Sequence, residues 1–205
     1  MRRITVLMSL LSCSLLAAEW PVLKTYEGEA LRRVKMPLGG IGTGTISLSG
    51  TGALVDWEIM GRPNKGFTPA LRSCFQLSPF FAVRTETPEG DVAARILEGP
   101  VDTEHYEGQS GSGVRNHGFA RWRECTFKVA YPLAQVELGD AALPVTATLE
   151  AMNPLLPGDA DRSGIPAALL RWKIANVSGR PLKASVLCFL RNPAEGTNRV
   201  ECVTG

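Results

Sequence analysis

The sequence holds no C-x-x-C pair, no G-x-G-x-x-G or G-x-x-x-x-G-K-[ST] loop and no G-x-S-x-G elbow. Those absences argue against a zinc-binding scaffold, a nucleotide-phosphate cradle and an α/β-hydrolase nucleophile. Histidine is scarce: His105 and His117 are the two in the chain, and neither lies near a cysteine pair. A structural metal site is therefore unsupported. Charge of one sign is also lacking. The net charge is +2, which Arg2 and Arg3 account for by themselves. No basic field remains to attract nucleic acid. Beyond the first residues there is no sustained helical period, and no repeat of fixed length points to a solenoid or propeller.

Glycine, by contrast, is dense between Met36 and Phe67, where eight fall in MPLGGIGTGTISLSGTGALVDWEIMGRPNKGF. Such density signals crowded backbone geometry. Within it, after Gly44, Thr45-Ile46-Ser47-Leu48-Ser49 alternates as a strand and breaks at Gly50 and Gly52, where a phosphate loop would need a helix. Next come Asp56-Trp57-Glu58-Ile59. On a regular strand Asp56 and Glu58 share one face and Trp57 the other. The plain interpretation is a solvated acidic face over a core tryptophan. A sharper one is a rim loop on which Trp57 stacks against a sugar while the charged groups of the stretch hydrogen-bond to it.

Strand signals dominate the remainder: 42–48, 54–60, 80–86, 92–98, 121–130, 134–137, 144–151, 167–176 and 182–190. Turn residues separate them, which predicts an all-β chain, an antiparallel β-sandwich, with a closed barrel as the alternative. Two hairpins are expected. One turns at Pro132-Leu133, and the other at Asn176–Pro181, joining 170–175 to 183–190. The glycine-serine loop from His105 to Gly118 offers Arg115 and His117 as ligand contacts and Glu104 or Glu107 as acids, or else is simply solvated. A second loop, Asn153 to Pro166, reads as a structural crossover. Asn176-Val177-Ser178 is formally a glycosylation sequon but reads as a turn.

At the N-terminus, Arg2-Arg3, the apolar run Ile4–Leu16 and Ala17-Ala18 mark a secretory signal over residues 1–18. Leu10-Leu11-Ser12-Cys13 resembles a lipobox, in which Cys13 would be acylated; cleavage near Ala18 is the competing outcome. The expected location is periplasmic or membrane-anchored. Cys74, Cys125 and Cys188 sit in apolar runs, so buried free thiols are expected there.

The order of three segments adds a resemblance. GGIGTGTISLSGTG followed by DWEI, then Tyr131-Pro132-Leu133-Ala134-Gln135-Val136, then Leu149-Glu150-Ala151-Met152-Asn153-Pro154-Leu155-Leu156-Pro157 together resemble the N-terminal region of glycoside hydrolase family 116. This is the family of bile-acid or non-lysosomal β-glucosidases (glucosylceramidases), and the likeness covers most of residues 25–190. It implies a sandwich over residues 19–205, partial at its C-terminal end, that packs on a larger (α/α)6 barrel. Retaining glycosidases work with two carboxylates roughly 5 Å apart. In this family the nucleophilic glutamate and the acid/base aspartate belong to the barrel, so no catalytic residue carries over to this chain. The resemblance further implies β-glucosides as substrates, reached through the barrel, with no metal and no cofactor. The chain alone is expected to be inactive, with Asp56, Trp57, Arg62 and Asn64 as substrate-side or interdomain contacts. Rival interpretations are a free-standing carbohydrate-binding module and a surface sandwich without a ligand.

Overall fold

The computed structural model describes residues 23–59, 63–69, 71–72, 76–102, 104 and 113–191. The described residues are nearly all β. In chain order they form β1 (Lys24–Tyr26), a 3-10 turn (Gly28–Arg32), β2 (Lys35–Leu38), β3 (Gly44–Ser49) and β4 (Leu54–Ile59). The short pair β5 (Leu71–Arg72) and β6 (Gln76–Leu77) follows, then β7 (Phe80–Glu86), β8 (Val92–Ile96), β9 (Glu124–Ala130) and β10 (Leu133–Gly139). The last elements are β11 (Val145–Met152), the one-turn helix α1 (Ala160–Ser163), β12 (Leu169–Asn176) and β13 (Lys183–Phe189).

The largest sheet has five strands in the order β1-β9-β10-β11-β12, and every pairing in it is antiparallel. Its period-2 patterning is clearest in β11, where Val145, Ala147, Leu149 and Ala151 are buried and Thr146, Thr148 and Glu150 lie on the other face. Two three-stranded sheets, β13-β7-β8 and β2-β3-β4, supply the opposing side. Met36, Leu38 and Leu48 from one of them and Val83 from the other join Phe127, Val136 and Leu149 in a single apolar cluster. The three sheets therefore share one core, which also takes in Leu97 and Trp122.

The hairpin at Pro132 forms as expected, with Leu133 opposite Ala130. The second expected hairpin does not. β12 pairs with β11, whereas β13 pairs with β7 in another sheet, Lys183 opposite Glu86. Residues 177–182 therefore cross from one sheet to another. The short strands β1 and β2 had no pattern to announce them. β2 even contains Pro37, which is tolerated because β2 is the edge of its sheet.

The glycine-rich stretch is a pair of hairpins, β2-β3-β4. Gly40 is required for close approach, since a Cβ there would sit 2.4 Å from the Ile165 carbonyl oxygen. Beside it, the Ile41 amide donates to Ser163 O at 2.8 Å, which docks the loop on the end of α1. The loop from Asn153 to Pro166 thus joins neighbouring strands β11 and β12 and buttresses the glycine loop. Asp159 caps its helical turn by accepting from the Arg162 amide at 2.9 Å.

Candidate functional site

β4 does not run as a regular strand. Pairing steps from Thr45–Glu58 to Ser47–Val55, so β4 carries one extra residue, and Asp56 takes up the slack at φ 48°. Asp and Asn reach this left-handed region more readily than bulkier residues. The expected alternation fails as a result: Asp56 and Trp57 are both buried, and Asp56 does not share a solvated face with Glu58.

Each of these side chains has a definite task in the structure. Asp56 accepts from Lys35 Nζ at 2.6 Å and from the Gly66 amide at 2.7 Å. Burial opposes its ionisation, but the Lys35 ammonium and the Gly66 N–H outweigh burial, and its pKa falls below the ordinary aspartate value. Glu58 accepts from the Asn64 amide at 2.9 Å and from Lys65 Nζ at 2.8 Å, and Lys65 with Asn64 holds its pKa low. The two carboxylates thereby fasten the exposed segment 63–67 over Trp57, whose amide donates to Phe67 O at 2.9 Å. Trp57 is only 5% exposed, and its indole N–H points to Leu54 O at 3.3 Å. Asn64 is exposed. Arg62 and Cys13 lie outside the described residues, as do His105, Glu107, Cys74 and Cys202.

Beside Asp56 opens a cleft of about 850 Å³ between the 3-10 turn, β3-β4 and the start of β9. Lys35, Asp56, Glu98, Arg115 and Arg121 line its inner part, and Glu27, Arg32, Asp102, Arg123 and Glu124 add further charge to its walls. Glu98 and Arg121 are both buried and paired at 3.2 Å. Burial pushes the Glu98 carboxyl up, against the pull of Arg121, Arg115 and Asn116. Burial also lowers Arg115, while the charges of Asp56 and Glu98 hold it up. Arg115 donates to Gly66 O at 2.5 Å, and Arg121 to Arg115 O at 2.6 Å. The guanidinium of Arg115 thus ties the 63–67 segment to the Glu98 side of the cleft. Among the described residues no cluster of histidine, cysteine and carboxylate has the makings of a metal site.

Sequence reasoning brought Asp56 and Arg115 into view but missed Lys35, Glu98 and Arg121. Glu98 simply follows the apolar pair Ile96-Leu97, and no spacing connects it to Arg121, more than twenty residues on. His117 is exposed and does not line the cleft, and neither does Glu104. Cys125 is a free thiol that burial pushes up to about 12. Cys188, expected to be buried, is exposed because β13 is open on most of its surface.

Fold and cleft together define a nearly all-β antiparallel domain with a concavity whose two buried carboxylates, Asp56 and Glu98, are each engaged by a cation. The family model for beta-glucosidase 2, the glycosyl-hydrolase family 116 N-terminal domain, matches residues 35–202, and the chain belongs to this family. A search among curated proteins found no match.

Proposed function

We propose that this domain is the non-catalytic N-terminal sandwich of a retaining β-glucosidase of the glucosylceramidase type, which packs on the catalytic barrel and shapes its entrance. Family membership is the observation that carries the proposal. Two features of the site agree with it. Asp56 is engaged by Lys35 and the Gly66 amide, where a retaining nucleophile has to be free to attack. The described residues also include a single four-residue α-helix, so none of them builds a helical barrel. Asp56 and Trp57 then serve from inside, holding the segment with Asn64 and Phe67 at the surface where the barrel would dock; Arg62 belongs to the same contact. The β-glucoside meets this domain only through the barrel, and neither metal nor cofactor takes part.

In this proposal residues 1–18 export the chain to the periplasm, or anchor it through acylated Cys13. Export is tested by the mature N-terminus, and anchoring by loss of lipid label in Cys13→Ala. The central test is activity. The purified chain is expected to leave an aryl β-glucoside intact, and turnover that disappears in Asp56→Asn would overturn the proposal.

A further inference from the structure

The charges of the cleft do not cancel in its inner part. Lys35, Arg115 and Arg121 sit there with Asp56 and Glu98, three cations against two carboxylates. Lys35 is held by Asp56 at 2.6 Å and Arg121 by Glu98 at 3.2 Å. Arg115 is the cation left over. Among the described residues its guanidinium makes one hydrogen bond, to Gly66 O at 2.5 Å, and no ion pair. It is partly buried, so solvent screens this surplus less than on an open surface. The other walls are balanced the opposite way, Arg32 and Arg123 against Glu27, Asp102 and Glu124, so an anion is attracted to the inner part alone. A guanidinium presents its N–H donors in a planar fork that matches a carboxylate, and most of those on Arg115 are unused.

We infer that the cleft is a binding site for a small organic monocarboxylate anchored by Arg115. One negative charge offsets the surplus, whereas the second charge of a dianion such as phosphate would meet the field of Asp56 and Glu98 without compensation. A volume of about 850 Å³ lies in the range of small-molecule sites. Leu31, Val55, Pro100 and Val101 offer the body of the ligand apolar contact, and Ser49 and Thr51 offer hydroxyls.

Isothermal titration calorimetry of the full chain at low ionic strength tests this. The probes are D-glucuronate and N-acetylglycine, each beside its uncharged amide, and inorganic phosphate. At least one of the two acids is expected to bind while its amide does not, and the better of them tells whether the body of the ligand is hydroxylated or peptide-like. Arg115→Ala should weaken that binding by about tenfold or more. Arg115→Lys, which keeps the charge without the fork, should weaken it by less. Far-UV circular dichroism should be unchanged in both. Equal binding of acid and amide overturns the proposal, as do tighter binding of phosphate, failure of both acids to bind, and undiminished affinity in Arg115→Ala. Should Arg115→Ala fail to fold, Arg115→Lys and the comparison of acid with amide on the wild-type chain still decide.

Discussion

Asp56 is the residue on which the site turns. It sits in the left-handed region, is 3% exposed, and holds Lys35 and the Gly66 amide at once. Asparagine accepts the same backbone conformation and keeps a carbonyl for Gly66, but it loses the charge and turns its NH2 towards the Lys35 ammonium, so the Lys35 hydrogen bond is lost with it. We expect a loss of about 1–2 kcal/mol at neutral pH, the lower part of the range for charged hydrogen bonds because Lys35 is half exposed and screened. The folded-state pKa of Asp56 is depressed, so its contribution is present above the unfolded value near 3.8 and vanishes as pH falls through the folded one. The gap between wild type and variant in urea titrations should therefore close below pH 3.8. A gap that widens on acidification would show that the Lys35 contact contributes no stability. Glu98 has the opposite sign: burial raises it, so protonation favours the folded state there as pH falls. The two described thiols differ in exposure. Cys125, pushed up to about 12, should resist alkylation at neutral pH while exposed Cys188 reacts, as peptide mapping would show.

Elements expose a different sensitivity. The glycine loop between β2 and β3 packs on residues 164–165 with no room for a methyl group at Gly40. Gly40→Ala should cost about 1–3 kcal/mol through backbone displacement. Gly42→Ala, at φ 75° with no neighbour within 4 Å, should cost only the strain of a left-handed alanine, about 1 kcal/mol. Urea midpoints for the two variants give the comparison directly. The strands themselves were largely legible in the sequence, since alternation in 80–86 and 145–152 reports a buried face without reference to any partner. What pairs with what was not. Residues 169–176 and 183–189 read as a hairpin because a turn separates them, but turn chemistry is equally served by a bridge between layers. The cleft was illegible for the same reason. A pair such as Glu98 and Arg121 is made by sheet topology, and a bulge at Asp56 cancels the period-2 rule on which any facing argument rests.

At the level of the whole molecule, one apolar cluster draws on all the larger sheets, from Leu38 and Leu48 through Val83 to Phe127 and Leu149. Sheets that share a core should unfold together. Phe127 is fully buried at its centre, and Phe127→Ala should cost about 3–5 kcal/mol. Tryptophan fluorescence and far-UV circular dichroism should still report coincident transitions, whereas separated transitions would mean the layers are independent.

The bridge that sends β13 away from β12 also sets an order of events during synthesis. β7 leaves the ribosome with β8, but the strand that completes its other side is translated only after roughly half the chain has followed. Until then Val83, Phe81 and their neighbours have a bare flank among nascent segments. Contacts so distant along the chain close slowly. Until residues 183–189 emerge β7 lacks a neighbour on that side, and that interval is when a holding chaperone would matter most.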